Sequence, residues 1–270
     1  MASRHGRAGS GLKMGESKLN GVFFLLALLL VWELAAQAEW VNPLIVPTVS
    51  KILRTFWELT WSGQILWQIF ASLKRAAVGY ALAAAVCIPL GIFMGLFDRI
   101  RGALEVTVEM LRPIPPPVVI PAAMLVFGLE DEMKIFVIFF SCAWPILLNT
   151  LDGVKNIDRV LLHTAKTFGL PQRRIIWQVI LPASAPQIMT GLRVSLPIML
   201  ILVVISEMVG STDGIGYFIL DSQRRFRVAQ MYAGMLALAL LGYVLNQLFN
   251  LAHRTLVAWH WEMIRRKDEI

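Results

Sequence analysis

Six apolar runs, nearly free of charge, punctuate the sequence at 21–36, 76–97, 118–129, 133–151, 187–209 and 229–251. A helix needs about 20 mostly apolar residues to cross a bilayer, and several of these runs reach that length. Lys and Arg total 25 and Asp and Glu 18, so only 16% of the chain is charged. A soluble domain carries about a quarter. One soluble core cannot hide that much apolar surface, because its own surface must still be wetted. An ordinary soluble enzyme, a disordered chain and a disulfide scaffold are thereby excluded. The expected fold class is all-α: a polytopic membrane protein of about six transmembrane helices.

The runs differ in kind. The first, Gly21–Ala36, is short and follows a polar tail with Arg4, Arg7, Lys13 and Lys18. It reads as an uncleaved span, with a signal peptide ending near Ala36-Gln37-Ala38 as the alternative. Residues 40–75 mix Trp40, Trp57, Trp61 and Trp67 with Lys51, Arg54 and Glu58, the pattern of an interfacial helix or helix pair. The second run holds Pro89, expected to kink it, and Gly91 and Gly95, a spacing that lets another helix approach closely. The third is too short alone. It must be tilted or borrow from Pro113-Ile114-Pro115-Pro116-Pro117, a stiff segment that cannot be helical throughout.

With six spans both termini share one side. The segments on that side hold 16 of the 25 Lys and Arg, against eight on the other. This places the termini in the cytoplasm. The division expected is a cytoplasmic tail 1–20, a membrane domain 21–251 with a polar loop at 152–186, and a second cytoplasmic tail 252–270. The net charge of +7 then reflects topology and calls for no nucleic acid. Cys87 and Cys142 lie in apolar runs and read as reduced, buried thiols.

The loop 152–186 carries local signals. Asp158 is a good N-cap. Val160, Leu161, Thr164, Ala165 and Phe168 recur at helical spacing. Gly169 is placed for a left-handed helix end, and Pro171 prevents continuation. A second helix over Ile175, Ile176, Val179 and Ile180 is expected to stop before Pro182. The pair presents an apolar stripe and a basic rim, Arg173 and Arg174. Either a protein partner or the membrane surface would cover that stripe.

Here the sequence resembles a known family. His163-Thr164-Ala165-Lys166-Thr167-Phe168-Gly169, nine residues, then Val179-Ile180-Leu181-Pro182 is similar to the Glu-Ala-Ala loop of binding-protein-dependent ABC importer permeases. Ala165, Gly169, Leu181 and Pro182 match in register, Val179 stands for Ile, and His163 and Thr164 replace Glu and the first Ala. Leu111-Arg112-Pro113-Ile114-Pro115-Pro116, Phe127-Gly128, Asn156-Ile157-Asp158 and Ser206-Glu207-Met208 through Gly214-Ile215-Gly216-Tyr217 are similar to the nitrate/sulfonate/taurine branch. The resemblance covers roughly residues 20–260. It implies a bacterial inner-membrane permease, present in two identical copies. It further implies two ATPase subunits, an external substrate-binding protein and a small anionic solute. Residues 158–168 would be the coupling helix that docks in the ATPase. His163, Thr164, Ala165, Phe168, Gly169, Arg173, Arg174, Leu181 and Pro182 would serve that contact. His163 lacks the carboxylate that in the family faces basic residues of the ATPase.

The remaining constellations exclude other chemistry. No P-loop occurs, so ATP would be used by the partner and the chain is not expected to be an enzyme. His5, His163, His253 and His260 have no metal-ligand spacing, and no metal or other cofactor is expected. A secondary transporter or channel would need ionisable relays across several spans, and only the fifth holds more than one charge, Arg193 and Glu207. These are 14 residues apart and share a face at 100° per residue, unless Pro197 twists it. They could line a translocation path, or snorkel to the two interfaces. Trp144 and Asn149, beside Pro145, are further path candidates.

Overall fold

The computed structural model describes residues 9–256, and among these every regular element is helical. Residues 1–8 and 257–270, with Arg4, His5, Arg7, His260, Arg265, Arg266 and Lys267, lie outside the described residues. The helices are α1 (Gly9–Gln37), α2 (Val49–Trp61), α3 (Gln64–Leu96), α4 (Asp98–Leu111), α5 (Pro116–Phe127), α6 (Asp131–Lys155), α7 (Arg159–Thr167), α8 (Gln172–Ile175), α9 (Leu181–Gly210), α10 (Ile215–Arg224) and α11 (Val228–Leu256). A π-helical turn, Ile176–Ile180, joins α8 to α9.

Small residues decide how the centre packs. Gly79, Ala83, Cys87, Gly91 and Gly95 recur every four residues along α3, which places them on one face. All but Gly95 are buried there. A Cβ on Gly79 would stand 2.8 Å from Ile138 of α6, one on Gly91 2.8 Å from Thr150, and one on Gly95 2.6 Å from Val154. Only glycine permits that approach. In lipid, where apolar burial gives helices no mutual attraction, close backbone contact is what holds them together. On its other side α6 packs on α9. Gly191 meets the Pro145 carbonyl, and Gly153 meets Ser184 and Gln187. Met133, Val137, Cys142, Ile146, Met199 and Val203 fill the core between. Cys87 and Cys142 are both buried and unpaired.

Among the described residues four helices are long and apolar enough to cross a membrane: α3, α6, α9 with its α8 lead-in, and α11. The bent pair α4 and α5, whose axes meet at 99°, is apolar enough together for a broken span or a re-entrant loop. The apolar part of α1, Phe23–Gln37, is shorter. The sixth crossing expected from 21–36 therefore remains a proposal.

Several expectations from the sequence need correction. Between the second and third apolar runs, Asp98–Leu111 form the helix α4. The proline segment holds the corner: Pro113 to Pro115 are not helical, while Pro116 and Pro117 start α5, where missing N–H groups do no harm. The stretch 40–75 divides. Residues 49–61 form an amphipathic helix that buries Ile52 and Leu59, with Trp57 and Trp61 stacked on its exposed face. Residues 64–75 already belong to the long helix α3, because Ile65, Ala71, Ser72 and Arg75 are buried. Between the fifth and sixth apolar runs lies α10.

The second helix of loop 152–186 does not stop before Pro182. It runs on into α9 as one 39-residue helix, Gln172–Gly210. The π turn explains this. The Leu181 N–H donates to the Ile176 carbonyl, five residues back, so the turn widens where the proline ring would otherwise strike the preceding turn.

Candidate functional site

At one end of the bundle the loop helix α7 is built as its sequence suggests. Asp158 accepts a hydrogen bond from the Val160 N–H at 2.8 Å, satisfying an orphan donor of the first turn. At the other terminus Gly169 has φ +69. The Gly169 N–H donates to the Lys166 carbonyl at 2.9 Å and the Leu170 N–H to the Ala165 carbonyl at 3.2 Å. That double bond pattern is the Schellman motif. Val160, Leu161 and Phe168 are exposed, Phe168 to 80%. Ala165 departs from that stripe: it is buried against Ile92, Val154, Ile157, Ile175 and Ile180. His163, Thr164, Arg173 and Arg174 are exposed. Pro182 lies in the helix proper, and Leu181 packs against the same apolar cluster as Ala165.

Mid-bundle, a cavity of about 790 Å³ opens between α5, α6 and α9. Arg112, Ser141, Trp144, Asn149, Asp152 and Ile201 are among its lining residues. The sequence candidates Trp144 and Asn149 thus share one cavity. The Asn149 amide donates to the Pro145 carbonyl at 2.8 Å. Trp144 stacks edge-on against Phe140, and among the described residues its buried indole N–H has no acceptor. Arg112 and Asp152 add charge that apolar periodicity could not place there.

Arg193 and Glu207, 14 residues apart on α9, stand in different surroundings. Arg193 is exposed and lies outside that cavity. Glu207 is 1% exposed and fully engaged at the opposite end from α7. Its Oε1 accepts from Arg75 Nη1 at 3.0 Å; its Oε2 accepts from the Ser72 hydroxyl at 2.8 Å and the Gly216 N–H at 2.9 Å. Arg75, 5% exposed, also donates to Asp131 Oδ1 at 2.6 Å and to both the side chain and the carbonyl of Asp213. Lys134, equally buried, donates to the Leu129 carbonyl at 2.9 Å. One guanidinium thereby ties α3 to the first turn of α6, the last turn of α9 and the loop before α10.

The glycines Gly214 and Gly216 follow from this cluster. Gly214 has φ +103, and a Cβ there would strike the Glu207 carboxylate; one at Gly216 would strike the Val204 carbonyl. Arg75 was missed because it sits at the polar edge of its apolar run. A carboxylate inside a span demands a cation, and that demand was the signal available. Among the described residues no group of His, Cys, Asp or Glu could hold a metal.

An all-helical bundle with membrane-length helices, an open central cavity and a protruding capped helix is the architecture of a membrane transport component. Comparison with known proteins makes this specific. Residues 87–259 match the family described as binding-protein-dependent transport system inner membrane component. The chain is 36% identical over 247 residues to a putative ABC transporter permease of Methanocaldococcus jannaschii, covering 89% of this chain and 92% of that one. It is 31% identical over 246 residues to the taurine transport system permease of Escherichia coli, covering 88% and 89%. Its fold matches a chain of the inward-facing methionine ABC transporter MetNI, with TM-score 0.62 and 16% identity over 74% of this chain and 98% of that one. The chain belongs to the binding-protein-dependent ABC importer permeases, which are membrane transport components and not enzymes.

Proposed function

We propose that this permease forms, with a second copy of itself, the path by which a small anion enters the cell. An external binding protein would deliver the anion, and two ATPase subunits would use ATP. The observation that carries the coupling role is the apolar stripe Val160, Leu161 and Phe168, exposed on a short helix capped at both ends. The caps fix the helix rigidly enough to transmit a push, and the stripe offers apolar contact to a partner groove. His163, Thr164, Gly169, Arg173 and Arg174 flank that contact. Orientation follows the excess of Lys and Arg on the side of α7, which makes that side cytoplasmic.

The central cavity supplies the path, with Trp144 and Asn149 at its wall and one cation, Arg112, beside one carboxylate, Asp152. A second copy is suggested by the bare apolar surface beside it: Val118, Leu125 and Ile201 are exposed, Leu125 to 89%. Relatives named for taurine, aliphatic sulfonates and bicarbonate support an anionic solute. The ATPase needs only to contact α7 differently in its open and closed states to shift which side the cavity faces.

The test substitutes Val160→Asp and Phe168→Asp in the full transporter. Both positions are solvent-facing, so the permease should fold and lose its ATPase on purification. Retention of the ATPase with normal substrate-stimulated hydrolysis would overturn the docking role.

A further inference from the structure

A second, smaller cavity lies on the inner side of α7. It measures about 330 Å³ and is enclosed by the first turn of α4, the end of α6, α7, α8 and the π turn. Four cations line it, Arg101, Lys155, Arg159 and Lys166, against one carboxylate, Asp98. Arg101 is paired with Asp98 at 2.6 Å. Among the described residues Lys155, Arg159 and Lys166 have no carboxylate within ion-pair distance. All three are exposed to solvent, which screens part of their repulsion; an anion seated among them would relieve the rest. The floor is apolar, built in part by Ile157 and Ile175.

We infer that this cavity binds the phosphate of an acidic molecule, with the headgroup of an anionic membrane lipid as the favoured source and free inorganic phosphate as the other. One observation and one general tendency support the lipid. Trp177, in the π turn that closes the cavity, is 64% exposed, and tryptophan gathers at headgroup depth. Basic pockets between helices on the cytoplasmic side of membrane proteins suit such headgroups.

The geometry of α7 lets the phosphate and the ATPase coexist. At 100° per residue, Arg159, Leu162 and Lys166 fall within one stripe. Val160, Thr164 and Phe168 centre on the opposite side. One face of the helix is basic and turned to the cavity; the other is apolar and open. A phosphate seated there would draw the ends of α4 and α6 toward α7 and set how firmly the coupling helix is held. The cytoplasmic placement rests on the orientation proposed above; the anion site itself does not rest on ATPase docking.

The experiment uses the permease–ATPase complex in nanodiscs of phosphatidylcholine alone or with phosphatidylglycerol, and native mass spectrometry counts retained phosphatidylglycerol. A parallel arm titrates inorganic phosphate into the phosphatidylcholine discs and reads the melting temperature. Each cation removed should weaken binding about fivefold, and Lys155→Gln, Arg159→Gln and Lys166→Gln together on the order of a hundredfold. Retention of phosphatidylglycerol lost in the triple variant establishes the lipid. A phosphate-dependent melting shift lost in that variant establishes the free anion. Should the triple variant not fold, Lys166→Gln alone should weaken both readings about fivefold, and no weakening would overturn the site.

Binding of neither probe would overturn the site. So would equal retention by wild type and triple variant, or an equal loss in Arg173→Gln/Arg174→Gln, whose cations lie outside the cavity. ATPase copurification is scored on the same samples. A complex that loses its ATPase through Phe168→Asp yet retains lipid fails the docking reading alone. One that keeps its ATPase and binds neither probe fails the anion site alone.

Discussion

The two ends of this bundle are held by different forces. At the Arg75 end one buried guanidinium faces three carboxylates and a carbonyl, and four segments of chain converge on it. At the α7 end the contacts are small apolar side chains, two helix caps and a widened turn. Charges out of water hold by geometry, and losing one partner leaves the other stranded. Apolar contacts can slide by a fraction of an ångström without any group being left unpaired. A push delivered to α7 is therefore expected to displace that end and pivot about the other.

The largest effect should come from breaking the locked end. Arg75→Met leaves Glu207 buried without its cation, a loss of about 3–5 kcal/mol. In detergent the variant should unfold well below the wild type or fail to accumulate. Arg75→Met combined with Glu207→Gln should recover part of that loss. A single variant that melts with the wild type would show that the cluster does not lock this end.

Next comes the contact between the ends. Gly91→Ala places a Cβ 2.8 Å from Thr150 and 3.0 Å from the Leu147 carbonyl. Backbone on one side cannot yield, so the overpacking should destabilise by about 1–3 kcal/mol. Thermal melting of the variant beside Gly91→Ala/Thr150→Ser isolates the clash with the Thr150 methyl from those with its Cβ and the Leu147 carbonyl. No shift in either would mean that α3 and α6 part more easily than their spacing indicates.

What the sequence showed and what it hid divides along the same lines. The all-helical membrane class, the Asp158 cap, the Gly169 turn and the helix stripe of α7 were legible because each depends on residues a few positions apart. Gly91 and Gly95 were legible as an approach site, but the longer stripe back to Gly79 emerged only with α6 alongside. The Arg75–Glu207 pair was hidden because its members are 132 residues apart. Judged on its own helix, Glu207 seemed to face a path with Arg193, whereas its true neighbour comes from α3. Pro182 misled for a related reason. Its usual effect is to end a helix, and the π turn that absorbs it has no sequence signature.

At the α7 end the effects should be smaller and purely local. Gly169→Ala meets nothing within 4 Å, so its penalty is conformational alone. Holding a Cβ-bearing residue at φ +69 costs about 1 kcal/mol, and Gly169→Asn should cost less. Hydrogen exchange should show faster opening of Arg159–Thr167 while the Arg75 end is unchanged. Equal acceleration at both ends would contradict their mechanical separation.

The smallest effect should have the opposite sign. Gly102 lies inside α4, has ordinary helical backbone, and a Cβ there would meet nothing within 4 Å. It makes no close approach, unlike Gly91. Glycine in such a helix interior is a loss relative to alanine, because the unfolded chain has more freedom to surrender. Gly102→Ala should therefore stabilise α4 by about 0.5–1 kcal/mol, visible as a small rise in melting temperature with transport unchanged. Should transport fall while stability rises, α4 must bend during the cycle, and the compliance assigned to the α7 end would extend along the whole helix that leads to the 99° corner.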